Sequence, residues 1–246
     1  NLDSDISVGF KGNPNMGSIV LNQFTNSDDF QRFGQTFGPG DAIFIINSIF
    51  GGTGAAGFPL LLKNLRGNSE MPHRVQIKDA PIGGITYLPY FSLNKQDEVN
   101  SESFEEKSKV AIDYYNRTII SQNKINVLYL IGNKGNTNVI QYAVGGKEQK
   151  NNAHFFELAG ALSILDFCRN ADLHKVADGK AVCGTQVKEY GIENDTDVIS
   201  FNDLNLNDVK LLSGPLTRFK IYTEYLKQGL PRALNVSRWT RSNIKL

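Results

Sequence analysis

The feature that most constrains this chain is a short apolar run followed by a cluster of glycines and a second apolar run. Residues 43–46 read Ile-Phe-Ile-Ile, residues 51–57 contain four glycines, and residues 58–65 are again mostly apolar. A continuous apolar run rich in β-branched residues is typical of a strand buried on both faces. The pattern therefore predicts a buried strand, a glycine-rich turn and a helix with Pro59 in its first turn.

The rest of the chain continues this alternation of strands and helices. Residues 82–91 and 125–131 read as strands, whereas residues 103–121 and 152–168 read as helices. Strands that alternate with helices indicate a parallel sheet. We therefore predict an α/β fold of three layers, in which a Rossmann-like, mostly parallel sheet carries helices on both faces.

Composition argues against several classes of function. Of the 246 residues, 40% are hydrophobic, and the formal net charge is +1. This is enough to bury a core, but it gives no bias toward nucleic acid or an anionic membrane. No apolar run approaches the length of a bilayer span, and Cys168 and Cys183 fit no metal spacing. We expect a cytoplasmic protein with no metal site, no nucleic-acid partner and no membrane partner.

The glycine-rich turn has the chemistry of a phosphate site. Glycines let the backbone approach an anion closely, and the start of the following helix offers unpaired N–H groups and a positive dipole end. Thr53 adds a hydroxyl donor. A tight turn that binds nothing is the plain alternative. A lysine-bearing P-loop is excluded because no Gly-Lys-[Ser/Thr] follows.

A dinucleotide-binding loop is a further alternative, because Gly51, Gly54 and Gly57 are spaced like the glycines of some short-chain dehydrogenases. That fold expects an acidic residue that binds the ribose about 20 residues later, at the end of the next strand. Glu70 and Asp79 lie near this distance, but neither ends an apparent strand. The Tyr-x-x-x-Lys pair of such dehydrogenases is also missing from the sequence.

Residues 41–59 resemble, without a gap, the segment of tubulin and FtsZ proteins that runs from the fourth strand through the Gly-Gly-Gly-Thr-Gly signature. Residues 12–17, Gly-Asn-Pro-Asn-Met-Gly, are similar to the loop of that family that faces the terminal phosphate. Residues 85–91 and 127–133 resemble its next two strands, which end in Pro-Phe and Pro-Asn. Residues 203–210 resemble the loop that completes the hydrolytic site of the next subunit in a filament.

The resemblance implies a purine-nucleotide-binding protein of the tubulin/FtsZ-like GTPase family that self-assembles head to tail. It implies GTP or GDP as the ligand and allows Mg²⁺ beside the phosphates. The positions that match the nucleotide contacts of the family are Asn13, Gly51, Gly52, Thr53, Gly54, Ala55, Asn152 and Phe155. Asn152 would read the base near Phe155. Asp208, with Asn205, takes the catalytic place in the hydrolytic loop, where an Asp orients water against the terminal phosphate.

The chain also departs from the pattern of this family. Phe50 replaces the first signature glycine, and Asn205 replaces the first Asp of the hydrolytic loop. We therefore divide the chain into a nucleotide-binding α/β domain, residues 1–168, and an extension, residues 169–246, that includes the hydrolytic-type loop. The first strand and first phosphate loop of the family are missing from the domain; they precede Asn1 or have been lost. Two alternatives stay open: a catalytically degenerate tubulin-like scaffold or binding module, and an NAD(P)-dependent Rossmann oxidoreductase.

Overall fold

The computed structural model describes residues 9–10, 13–23, 27–67, 70–93, 102–132, 139–140, 154–170, 174–191 and 209–232. The chain divides into two compact units, Asn1–Asp203 and Leu204–Leu246. The second unit contributes one long helix, and all of the strands described here belong to the first unit.

The elements of the first unit follow one another as helices and strands. In chain order they are α1 (Pro14–Leu21), α2 (Asp28–Thr36), β1 (Ile43–Ser48), α3 (Gly52–Arg66), α4 (Arg74–Lys78), β2 (Ile82–Tyr87), β3 (Ser92–Leu93), α5 (Glu102–Tyr115), β4 (Val127–Ile131), β5 (Val139–Ile140), α6 (Phe155–Arg169), β6 (Val176–Ala177), β7 (Lys180–Ala181) and β8 (Gln186–Tyr190). Helix α5 continues as a π-helical turn, Asn116–Ile120. The second unit contains α7 (Val209–Glu224), which continues as a π-helical turn, Tyr225–Gly229.

Four parallel strands in the order β1-β2-β4-β8 form the main sheet. Ile43 lies opposite Ile82, Gly83 lies opposite Val127, and Val127 lies opposite Gln186. Strands β2 and β4 are almost completely buried, as expected of parallel strands that helices cover. The predicted α/β fold with a parallel sheet is therefore confirmed.

Different helices cover the two faces of this sheet. Successive residues of a strand point to opposite faces, so Phe44 and Ile45 pack on different helices. Ile45 belongs to a core that includes Phe58 of α3 and Tyr115 of α5. Phe44 packs on Phe167 of α6, with 5.3 Å between the ring centroids. Helices α3 and α5 thus lie on one face, and α6 lies on the other.

Strand β2 passes between these aromatic side chains because it carries two glycines. A Cβ on Gly83 would lie 2.8 Å from ring carbons of both Phe44 and Phe167. A Cβ on Gly84, which faces the other side, would lie 3.2 Å from a ring carbon of Phe58. Larger residues at these two positions would push the helices away from the sheet, so the glycines set the thickness of the three layers.

Arg66, the last residue of α3, ties together the segments that enter β2 and β4. Its guanidinium donates to the carbonyls of Lys78 and Ala80 at 2.5 and 2.8 Å. It also donates to the carbonyl of Lys124 at 2.9 Å. Burial lowers the pKa of Arg66 to about 10, so the group stays charged at neutral pH. One buried cation therefore holds the end of α3 at the amino edge of the sheet.

Two segments that were expected to be loop or turn are helical instead. Helix α3 begins at Gly52 rather than at residue 58, so Pro59 lies in the helix interior rather than in its first turn. Residues 14–17, expected to be a loop, form the first turn of α1. Pro14 at the first helical position and the Asn13 side chain, which accepts from the Met16 N–H at 3.2 Å, explain the start of α1.

Candidate functional site

The glycine-rich segment begins α3 at the carboxyl end of β1. Gly51 is the N-cap residue and makes no side-chain capping hydrogen bond. The Ala55 N–H already bonds the Gly51 carbonyl at 3.2 Å, as the first bond of the helical ladder. The amides of residues 51–54 precede that ladder, so they have no acceptor within the helix. The start of α3 therefore presents backbone donors at the sheet edge where ligands of open α/β folds bind.

The glycines of this segment let neighbouring backbone come close. A Cβ on Gly52 would lie 2.7 Å from the amide nitrogen of Asn13 and 2.9 Å from the Cβ of Phe10, closer than the 3.0 Å below which real Cβ atoms are essentially never found. A Cβ on Gly54 would overlap the carbonyl oxygen of Ser48. Close packing therefore explains why residues of low helix propensity begin this helix.

Helix α1 lies along α3 and runs in the same direction. Asn13, before the first turn of α1, contacts Gly52 in the first turn of α3. One turn later, a Cβ on Gly17 would lie 3.0 Å from the Cβ of Ala56, and the last residue of α1 reaches Gly57. The two helices thus begin side by side, and small residues at their contact let them approach closely.

The paired helix starts concentrate positive potential in one place. A helix start carries the equivalent of about half an elementary positive charge. Neither α1 nor α3 has an acidic residue in its first turn, whereas α2 has Asp28 and Asp29 there and α6 has Glu157. An anion between the starts of α1 and α3 would interact favourably with both dipoles and with the amides of residues 51–54.

A chain of buried polar side chains holds the beginning of α3 on the sheet. Thr86 of β2 donates its hydroxyl hydrogen to Asn47 Oδ1 at 3.0 Å, and Asn47 Nδ2 donates to the Tyr115 hydroxyl at 3.4 Å. The Tyr115 hydroxyl in turn donates to the Ala55 carbonyl at 3.2 Å. All three side chains are buried. Burial raises the pKa of Tyr115, so its hydroxyl keeps its proton at neutral pH.

An aromatic cluster lies at the same carboxyl edge of the sheet. Its members are Phe50, Tyr87, Tyr90, Phe91, His154 and Phe156. The ring of Tyr90 lies 4.7 Å from that of Phe156, 4.9 Å from that of His154 and 6.1 Å from that of Phe50. Burial raises the pKa of Tyr90 and lowers the pKa of His154, so both rings are uncharged at neutral pH. The cluster is a half-buried, neutral aromatic surface that reaches the start of α3 through Phe50.

Tyr87 anchors this cluster to α6. Its hydroxyl donates to the carbonyl of Phe156 at 3.2 Å. A Cβ on Gly160, one turn further along α6, would overlap the Tyr87 hydroxyl oxygen. Burial raises the pKa of Tyr87 to about 12, so the hydroxyl remains a donor. Gly160 therefore makes room for the hydrogen bond that joins β2 to α6.

A cavity of about 280 Å³ lies along α3 beside β1, the end strand of the main sheet. Its walls are mainly apolar and include Ile45, Ile46 and Leu61. Thr53 and Gly54 line it as well, so the cavity extends to the first turn of α3. The cavity therefore reaches one side of the helix start, at Thr53 and Gly54.

The structure brings most of the predicted nucleotide contacts to one location. Asn13 lies beside Gly52, and residues 51–55 form the first turn of α3 and its cap. Phe155 is the first residue of α6, half-buried, and sits in the chain between two members of the aromatic cluster. The predicted base contact Asn152 and the predicted catalytic residues Asn205 and Asp208 lie outside the described residues.

The polar chain and the aromatic cluster were not predicted from the sequence. Tyr115 is 60 residues from the carbonyl that it binds, a separation that no local pattern reveals. Asn47 did carry a signal, because a polar residue follows directly after a buried apolar run. The segment 87–91, Tyr-Leu-Pro-Tyr-Phe, is dense in aromatic residues at the end of a predicted strand. That density could have indicated an aromatic surface at the carboxyl edge.

Comparison with protein-family models, with curated proteins and with solved structures finds no match for this chain. Within the described residues, no helix is both long and apolar enough to cross a membrane. The same part of the chain contains no group of three or more His, Cys, Asp or Glu side chains placed to hold a metal ion.

Proposed function

We propose that this chain binds a purine nucleotide, GTP by its resemblance to tubulin and FtsZ proteins, with the phosphates at the paired starts of α1 and α3. One observation carries the proposal: the two helices begin side by side, and neither has an acidic residue in its first turn. The resemblance assigns phosphate contacts to these same two segments. We assign the fold, on the same basis, to the Rossmann-like type of the tubulin/FtsZ nucleotide-binding domain.

The phosphate oxygens accept hydrogen bonds from the amides of residues 51–54 and from the Thr53 hydroxyl. Asn13 contributes its side-chain Nδ2, since its Oδ1 already accepts from the Met16 N–H. The helix starts fit a polyanion because they supply donors and positive dipole ends without a competing carboxylate. The first turns of α1 and α3 themselves offer no carboxylate to a Mg²⁺ ion beside the phosphates.

The purine base stacks on the aromatic cluster. Phe50 directly precedes the phosphate-binding turn, and its ring lies 4.9 Å from that of Phe91. Uncharged aromatic rings provide flat apolar surface for a planar base. Phe155 lies between two members of the cluster in the sequence, and by the resemblance Asn152 reads the base.

Titration calorimetry with GTP, GDP, ATP and inorganic triphosphate tests the proposal. We expect GTP to bind and inorganic triphosphate to bind more weakly, because it lacks a base. Thr53→Val removes a hydroxyl donor with little change of shape and should weaken GTP binding about tenfold. The matched control is Thr36→Val at the end of α2, where the lost hydroxyl bonds only the Phe33 carbonyl among the described contacts. Absence of binding by every nucleotide at millimolar concentration would refute the proposal.

Hydrolysis and assembly are a separate part of the proposal. Following the resemblance, Asp208 with Asn205 acts on the nucleotide of the next subunit in a head-to-tail assembly. GTP hydrolysis that rises steeply with protein concentration and is lost in Asp208→Ala would support this part. Tight GTP binding without turnover would identify a tubulin-like scaffold module. NAD(P) that co-purifies with the protein would instead favour the oxidoreductase.

A further inference from the structure

The beginning of α3 contains a carbonyl that the helix itself leaves without a donor. Pro59 lies inside α3 and has no N–H, so the carbonyl of Ala55, four residues earlier, receives no helical hydrogen bond. The proline ring also crowds this carbonyl and loosens the helix at that point. The hydroxyl of Tyr115, at the end of α5, donates to the Ala55 carbonyl at 3.2 Å and replaces the missing bond.

The Tyr115 hydroxyl is directed at this carbonyl by its other contacts. Asn47 Nδ2 donates to the hydroxyl oxygen at 3.4 Å, so the hydroxyl hydrogen is left to point at Ala55. The Asn47 side chain is itself oriented, because its Oδ1 accepts from Thr86 at 3.0 Å. The ring of Tyr115 packs on Phe58, with 5.1 Å between centroids, and is 1% exposed.

We propose that Tyr115 is the positioning residue of the phosphate site. This inference rests on the proposed function, because it concerns the amides of residues 51–54. The direction of those amides follows the orientation of the first turns of α3, and Pro59 removes one of the hydrogen bonds that join these turns to the rest of the helix. The Tyr115 hydroxyl, anchored to β1 and β2 through Asn47 and Thr86, fixes the turns relative to the sheet.

A cycle of Tyr115→Phe, Pro59→Ala and the double variant tests the inference, with GTP affinity as the first readout. Tyr115→Phe keeps the ring and leaves the Ala55 carbonyl without its donor, so GTP binding should weaken about tenfold. Pro59→Ala restores an N–H at residue 59. In the double variant, GTP affinity should therefore return to within about threefold of the wild type.

Tyr129→Phe is the matched control. Tyr129 is also buried, and its hydroxyl donates to Asp166 Oδ2 at 2.6 Å on the α6 face of the sheet. This variant should lose stability and leave GTP affinity unchanged. Equal losses of GTP affinity in Tyr115→Phe and Tyr129→Phe, or failure of Pro59→Ala to restore binding in the double variant, would overturn the inference.

Hydrogen exchange separates failure of the inference from failure of the proposed function. If the wild type binds no GTP, the proposed function fails, and the backbone amides of residues 55–58 still report on Tyr115, because they donate the hydrogen bonds of the first turns of α3. Their exchange should be faster in Tyr115→Phe and slower again in the double variant, whereas Tyr129→Phe leaves it unchanged. Exchange at the start of α3 that is the same in all variants would show that Tyr115 does not position it.

Discussion

Replacing Gly52 with alanine tests whether close packing determines the geometry of the helix pair. A Cβ on Gly52 would lie 2.7 Å from the amide nitrogen of Asn13 and 3.0 Å from its carbonyl carbon, and both are backbone atoms. To reach the 3.4 Å of ordinary contact, α1 and α3 would have to separate locally by about 0.7 Å. Overpacking of this kind typically costs about 1–3 kcal/mol.

Gly57 is the matched control in the same helix. A Cβ there would lie 3.4 Å from Cδ1 of Leu21, the movable end of a long side chain. Gly57→Ala therefore gains helix propensity without a clash and should stabilise the protein by up to about 1 kcal/mol. The two variants should differ by about 1–4 kcal/mol in their free energies of unfolding.

Urea denaturation followed by far-ultraviolet circular dichroism measures this difference. Thermal unfolding gives the same comparison, because in a chain of this size each kcal/mol of stability changes the midpoint temperature by about 2–4 °C. Gly52→Ala should therefore lower the midpoint, and Gly57→Ala should leave it unchanged or raise it. If Gly52→Ala is as stable as the wild type, the glycine is not required for packing. A loss of GTP binding in such a stable variant would then point to contact with phosphate instead.

Two further predictions concern the α6 face of the sheet. Gly160→Ala places a methyl group on the Tyr87 hydroxyl oxygen and should destabilise the protein by about 1–3 kcal/mol. Adding Tyr87→Phe should recover part of this loss of stability, as measured by urea denaturation. If stability does not recover, the clash is not the cause of the loss. Burial and the nearby Lys188 lower the pKa of His174, and the opposite effect of Asp166 is smaller. As the pH falls, the unfolded chain therefore takes up a proton at His174 before the folded chain does. Stability should therefore fall as the pH drops below about 6.5, and His174→Phe should reduce that slope; an unchanged slope would contradict this assignment.

The sequence predicted the order of the elements better than their boundaries. The strands β1, β2 and β4 and the helices α3, α5 and α6 all occur where hydrophobic periodicity placed them. The start of α3 was misplaced because glycine is equally compatible with a loop. The segment is helical because α1 packs against it, and the local sequence pattern carries no information about that neighbour. Helix α4 was missed because its five residues are too few to show a period.

The candidate site could be predicted only in part, for a similar reason. The glycine-rich segment and Asn13 were found because each lies in a recognisable local motif. Their side-by-side placement depends on Gly17 and Gly52, whose role appears only when two helices touch. The contact of Tyr115 with Ala55 joins α5 to α3, and local periodicity describes each of these helices only by itself.

The strand order β1-β2-β4-β8 has a consequence for how the chain folds during synthesis. Each strand of the main sheet adds beside the one before it, so every strand after β1 finds its partner already synthesised when it leaves the ribosome. A sheet built this way needs no late strand to be inserted between two earlier ones, and one edge of β1 is paired with β2 early. Nascent chains stalled after β4 should therefore already contain a protected β1–β2–β4 sheet, with β8 joining last.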